Sequence, residues 1–405
     1  MKRLFTLIYI LMSFHAFAQL EIKDTAEKKD TAEIKTPVQE SIYTRPFMLG
    51  ISSLSTSIGG YFEGNSNYFS EDGVSEGLSF ELRRFNIFLY SSIGPGIRFL
   101  SELEFEHGTE EIALETAQID IRLFPEFALR GGIILVPIGM FNQNHDSPRW
   151  DIIDRPLVST QIIPATLSEV GFGIHGRFLL SGNLSFTYSG YLTNGLGDGI
   201  ILNTEGKTFI PAGKNEEAFG EDNNGLPSYS GRIAFQHLIG ELGLSFYHGI
   251  YNSFRIEGTE VDDKRSLSIF ALDFSANIFN FNLQSETAYS IINVPPNLSE
   301  IFGDKQWGTF VDILYPLFKG NLFLFNDAVI NSIVRFEYVD YNIGNFIATG
   351  DNIRDEITAL VFGLSFRPVS NTVIKANYRR HWIIDAIGNP AINVAGFQFG
   401  FASYF

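Results

Sequence analysis

Acids and bases in this chain recur two residues apart, opposite apolar neighbours. In "GIRFLSELEFEH" the charges Arg98, Glu102, Glu104 and Glu106 alternate with Ile97, Phe99, Leu103 and Phe105. Asp120 and Arg122 alternate in the same way with Ile119 and Ile121, and Arg130, Arg177, Lys375 and Arg379 also oppose apolar neighbours. So do Arg232, Gln284, Glu286, Arg335 and Glu337. Residues i and i+2 share one face of an extended strand, so these segments each carry one polar and one apolar face. Mixed acid and base along one face sets up a transverse field. Such a field suits passage of small polar solutes with weak cation preference, and it activates no nucleophile.

Other chemistry is scarce. The sequence holds no G-x-x-x-x-G-K phosphate cradle and no H-E-x-x-H. We assign no catalytic residue, no metal ligand and no cofactor. Glu104, Glu106 and His107 come closest to a metal cluster, but adjacent strand positions point to opposite faces, which keeps His107 from Glu106. "GEDNNG" at 220–225 offers oxygen ligands for calcium, and ordinary turn chemistry accounts for the same residues. Cysteine is absent, which excludes thiol nucleophiles, disulfides and thiolate metal sites. The net charge of −17, with no basic run, argues against nucleic acid as a partner.

The elements that position these charges are strands. Alternating segments lie near 54–63, 78–92, 96–107, 112–123, 127–138, 170–180, 183–193, 229–239, 242–251, 267–277, 280–290, 307–317, 331–340, 357–366, 372–382 and 394–405. Tight connections ("IGPG", "FPEF", "LSGN", "IGEL", "NIFNF", "RPVSN") alternate with long polar ones near 64–77, 139–169, 194–228, 252–266, 291–306, 341–356 and 383–393. The exceptions are a short "HGTEE" at 107–111 and a longer turn around 318–330. This rhythm predicts an all-β fold: a transmembrane antiparallel β-barrel of about sixteen strands, with short periplasmic turns and long outer loops. A soluble β-sandwich shares the alternation. The barrel is favoured by an export signal, by one unbroken run of strands and by the terminal "FQFGFASYF", whose Phe397, Phe399, Phe401 and Phe405 form an aromatic ridge suited to lipid.

Three regions stand apart from the strands. Residues 1–18 carry Lys2 and Arg3, an apolar core and Ala16-Phe17-Ala18, the pattern of a cleaved signal peptide, which predicts export. Residues 19–49 form a charged tail with "DTAE" at 24–27 and 30–33, placed on the periplasmic side by an even strand count. The barrel itself is expected over 50–405. Its third outer connection, 139–169, holds Trp150, Ile152, Ile153, Leu157, Val158, Ile162 and Ile163, too apolar for a solvated loop. It is therefore expected to fold inward and narrow the lumen, with Arg149, Asp151, Asp154 and Arg155 as constriction candidates.

"LRRFNIFLYSSIGPGIRFLSELEFEH", "AQIDIRLFPEFALRGGIILVPIGMFNQNHDSPRWDIIDRP" and "VGFGIHG" resemble the phosphate-selective porin O and P family and its general-porin relatives. The resemblance spans roughly residues 50–405 and is strongest over 80–180. It implies a sixteen-stranded, trimeric outer-membrane porin of a Gram-negative bacterium. The acids on 102–106 argue against carrying the phosphate preference over. The expected function is passive diffusion of small polar or ionic solutes. Its partners would be outer-membrane lipid and, through Phe405, the barrel-assembly machinery. The alternatives are a surface-binding or enzymatic barrel acting through its outer loops, and a selective anion or phosphate channel.

Overall fold

Strands that are apolar on one face and polar on the other must bury both kinds of surface appropriately and leave no unpaired edge. A computed structural model of the protein shows how. It describes residues 56–180, 182–214 and 216–405. The signal segment 1–18 and the tail 19–49 lie outside the described residues.

The first nine strands are β1 (Thr56–Glu71), β2 (Val74–Gly94), β3 (Ile97–Glu106), β4 (Glu111–Phe124), β5 (Phe127–Leu135), β6 (Ser168–Leu179), β7 (Ser185–Thr193), β8 (Ser228–His237) and β9 (Gly240–Ile250). A small hairpin, β10 (Arg255–Ile256) and β11 (Thr259–Glu260), stands in the next outer loop. Then follow β12 (Ser266–Ile278), β13 (Phe281–Ile292), β14 (Lys305–Leu322), β15 (Phe325–Asp340), β16 (Glu356–Val369), β17 (Thr372–Ile384) and β18 (Ile392–Tyr404). Apart from the hairpin, the strands pair antiparallel with their neighbours and close into one sixteen-stranded barrel through β1 and β18.

The C-terminus completes the closure. Phe405 N donates to Gly60 O at 3.0 Å and Gly60 N to Phe405 O at 3.2 Å. A Cβ on Gly60 would lie 2.5 Å from the Phe405 ring, so only glycine leaves room for it there. The ring then stacks on Phe85, with centroids 5.8 Å apart. Phe397, Phe399 and Phe401 point outward, as do Phe270 and Leu272 of β12 and Phe362 and Leu364 of β16. Phe124, Phe279 and Phe323 are exposed at the tight-turn end, which matches an interfacial aromatic girdle. A lysine or arginine on this outer face at the membrane midplane would cost about 2–4 kcal/mol, which enforces the inward side for charge.

Two connections are shorter than their composition suggests. Residues 64–77 belong mostly to β1 and β2, which meet at Asp72-Gly73 with φ 46° and 88°, a two-residue turn of the kind that favours Asp-Gly. The segment is polar because strands that project beyond lipid need no apolar face, and the alternation that marks a strand is lost there. Residues 318–330 likewise carry β14 and β15 down to a turn at Phe323–Leu324. Register shifts at Pro316/Phe318 and Gly320/Leu322 break the period of two and hide the strands.

The interior is also less uniformly polar than the alternation predicts. Leu267, Ile269 and Ala271 of β12, Ala288 and Ile292 of β13, Phe310 of β14 and Val339 of β15 face inward and are buried. They pack against Trp150, Val158, Ile162 and Ile163 of the 139–169 loop and against Ile200 and Ile210 of the 194–228 loop. In "SLSIFALDF" both faces are apolar, because one meets lipid and the other meets the loops.

Candidate channel lumen

The loop between β5 and β6 lies inside the barrel, and wall charges hold it there. At its start, Gly139 (φ 64°) passes so close to Glu286 of β13 that a Cβ would lie 2.4 Å from Oε2. That oxygen accepts Met140 N at 2.7 Å and Phe141 N at 3.0 Å, and Oε1 accepts the Ser159 hydroxyl at 2.6 Å. A short 3₁₀ turn, Ser147–Arg149, comes next. Lys375 of β17 donates there to Ser147 O (3.0 Å), Ser147 Oγ (2.9 Å) and Ile152 O (3.2 Å). One helical turn, α1 (Leu157–Gln161), follows, and its first backbone N–H donates to Glu337 Oε1 at 2.8 Å.

The four loop charges take different places. Asp154 accepts from Arg83 of β2 at 2.9 Å and from Arg379 of β17 at 3.0 Å, while its backbone carbonyl takes Arg335 at 2.9 Å. Asp151 accepts from Ser365 at 2.6 Å and Arg367 at 2.9 Å. Burial works against ionisation of both carboxyls. Even so, Arg379 and Arg83 hold Asp154 well below the usual carboxylate range, and Arg367 holds Asp151 below it. Arg155 donates to Thr166 at 3.1 Å. Arg149 donates to Asn144 Oδ1 at 2.6 Å and to the Tyr404 hydroxyl at 3.1 Å. The two acids thus serve as anchors, while Arg149 borders open space.

The wall charges divide in a similar way. Arg335 grips Asp312 with both arms (2.6 and 2.7 Å), and Arg379 also holds Glu337 at 2.9 Å. Glu102 and Glu104 share the amide of Asn86, each at 2.7 Å, and Glu106 pairs with Arg84 at 2.5 Å. His107 turns away to Glu81 at 2.7 Å, so the Glu104–Glu106–His107 trio does not converge. Asp120 takes Arg130 bidentately at 2.6 and 2.8 Å. Arg98 stands opposite Asp120 in register, and Arg122 lies on that same face one pair nearer the turn. Arg177 donates to Ser185 at 3.0 Å and Gln236 at 3.2 Å. The "GEDNNG" amides go to backbone carbonyls: Asn223 to Tyr251 O and Asn224 to Ile250 O.

Arg83 and Arg84 escaped the sequence reading for a physical reason. Adjacent strand residues normally face opposite sides, but the β1–β2 register shifts between Glu63/Gly64, leaving Arg83 as the extra residue of a bulge. Both guanidiniums then turn inward, Arg83 to Asp154 and Arg84 to Glu63 at 3.2 Å and Glu106. The Arg-Arg doublet inside an alternating strand was the available signal.

Among the described residues, two cavities lie along the β4–β9 wall. One of about 140 Å³ is lined by Arg130, His175, Arg177, Gln236 and Glu241 of the wall and by Gln143, Asn144 and Arg149 of the loop. The other, about 190 Å³, is lined by Glu111, Glu115 and Glu169 of the wall with Thr166, Asn194 and Lys214 from the loops. One cavity is rich in bases and the other in acids.

A closed sixteen-stranded antiparallel barrel with an apolar exterior places the chain in the outer-membrane β-barrel fold class. Among solved structures it is similar to OmpF of Salmonella typhi in complex with daunomycin (TM-score 0.55, 10% identity, 87% of this chain and 98% of that one). It is similar too to in-vitro folded OmpT of Vibrio cholerae (0.54, 9%, 88% and 99%) and to the outer-membrane channel DcaP of Acinetobacter baumannii (0.51, 11%, 86% and 97%). In sequence, it is 27% identical over 365 residues to an uncharacterised protein of Aquifex aeolicus strain VF5, covering 84% of this chain and 78% of that one. No protein-family model matches the chain. The resemblance to the phosphate-selective porins therefore rests on its sequence cues.

Proposed function

We propose that this protein is a passive diffusion channel of the outer membrane, exported by its N-terminal signal and working without catalysis. The observation that carries the reading is the one-sided seating of the 139–169 loop. Its apolar side is packed on β12–β15 and its acids are tied to β2, β16 and β17. Among the described residues, open volume lies against β4–β9, between Arg149 on the loop and Arg130 and Arg177 on the wall. Solutes would follow that wall, past Glu115 and Glu169 on the side of the outer loops and the arginines below. Acid and base in series favour small polar or dipolar solutes and only a weak cation preference. We also propose a homotrimer, in line with the trimer form in which OmpT has been solved, and recognition of the terminal Phe405 strand by the barrel-assembly machinery.

The base-lined cavity favours a second reading, an anion or phosphate channel, which would restore the preference suggested by the resembled family. Single-channel recording in a planar bilayer, with reversal potential under a salt gradient, separates the two. Conductance in steps of three with weak cation preference is the expected result. Strong anion selectivity would replace the first reading with the second, and a folded barrel that conducts nothing would end both.

A further inference from the structure

The beginning of the inward loop brings one histidine and three carboxylates to a point on the β3–β4 wall. His145 is fully buried, and its Nδ1 sits 3.0 Å from Asn142 O, the geometry of an N–H donated to a carbonyl. The other ring nitrogen, Nε2, has no hydrogen-bond partner among the described residues. It is aimed at Glu115 Oε2 (3.8 Å), Glu102 Oε1 (3.9 Å) and Asp146 Oδ1 (3.9 Å). Glu115 Oε2 is likewise buried and without a partner. A direct contact with one carboxylate would close to hydrogen-bond distance, as that between His107 and Glu81 does at 2.7 Å. Three nearly equal separations beyond hydrogen-bond range are what a central ion would set.

We propose that His145, Glu102 and Asp146, whose ligand atoms lie within 4.8 Å of one another, form a binding site for a divalent transition-metal ion beside Glu115, with zinc the best fit. Tetrahedral ligands ~2.1 Å from zinc stand ~3.4 Å apart, and Nε2 already lies 3.9 Å from both Glu102 and Asp146. An imidazole nitrogen among the ligands selects zinc-like ions over calcium or magnesium, which take oxygen alone. The surroundings already orient the ligands. Asn142 O fixes the histidine tautomer, the Asn86 amide holds Glu102 at 2.7 Å, and the Tyr404 hydroxyl holds the other oxygen of Asp146 at 2.7 Å. Two ligands come from the loop and one from the wall, so the ion ties the loop to the wall on the side away from β12–β15. Neither the site nor its test depends on the channel reading.

The test uses the full mature protein, folded in detergent, stripped with EDTA and titrated calorimetrically with zinc, with metal content measured after dialysis. We expect one zinc per chain. His145→Ala and Glu102→Gln should each weaken binding by at least ~100-fold, and the exposed His248→Ala should leave it unchanged. Heat-modifiable gel migration checks that each variant is a folded barrel. If His145→Ala misfolds, Glu102→Gln, which keeps the side-chain volume, carries the test. Failure of the folded protein to retain zinc would overturn the proposal. So would retention undiminished by the folded variants, or calcium binding that outcompetes zinc.

Discussion

The inner wall has two halves built from the same residue types and set to different tasks. On β12–β17 the charges are consumed in holding the loop: Glu286 takes three of its donors, Lys375 three of its acceptors, and Arg379 pairs with Asp154. On β4–β9 comparable charges border open volume, as Arg130, Arg177 and Glu241 do. A buried charge on the first half is a structural clamp, whereas one on the second shapes the field that a solute meets. The difference arises from where the loop lies, not from the residues themselves.

That contrast can be broken from the clamped half first. Asp154→Ala would leave Arg379 buried beside a vanished partner and strip Arg83 of its loop contact. Breaking a buried pair from one side costs about 3–5 kcal/mol. We expect a clear drop in the unfolding midpoint in urea and a noisier, larger single-channel conductance from a loosened loop. Unchanged stability and current would mean that the pair does not hold the loop.

Glu286→Gln should act next most strongly. The amide keeps one acceptor but loses charge and cannot satisfy three donors, at a cost of about 1–3 kcal/mol. The same urea titration reads it, with a smaller conductance change expected because Asp154 still anchors the far end. Arg177→Glu, on the open half, should behave in the opposite manner. Stability should move by no more than about 0.5 kcal/mol, while reversal potential shifts toward cations. A large stability loss there would erase the distinction between the halves.

The smallest effect is expected from acid. Asp154 and Asp151 have folded-state pKa values depressed below the unfolded value. Their anchoring is therefore fully present above the ordinary carboxylate pKa and is lost only as pH falls through the depressed one. The Asp154 and Asp151 contacts should therefore loosen only below the ordinary carboxylate range, which urea unfolding followed against pH reads. Loop release near pH 5 in a Glu286→Gln background, where that acid no longer titrates, would show that these two acids are not the anchors.

Much of the barrel could be read from alternation alone. Period-two patterning in "GIRFLSELEFEH" and "FQFGFASYF" determines strands with one face for lipid, because a charge on that face is costly and an aromatic is not. Alternating turn lengths determine antiparallel order. Where alternation lapsed, reading failed for local reasons: polar β1–β2 stretches beyond the lipid, bulges in β14–β15 and at Arg83, and an apolar inner face on β12. The apolar content of 139–169 likewise marks a loop that must bury surface.

Tertiary structure alone decided the rest. Which acid meets which base depends on residues up to 225 positions apart, as in Asp154 with Arg379, and no local pattern encodes that meeting. Arg149 and Asp151 look alike in sequence as loop charges, yet one borders a cavity and the other is spent on Arg367. Likewise Glu102, Glu115 and His145 are unremarkable on their own strands and loop. Strand geometry repeats every two residues and can be read locally, whereas the path of one loop across a closed barrel is set by contacts that exist only once the barrel has closed.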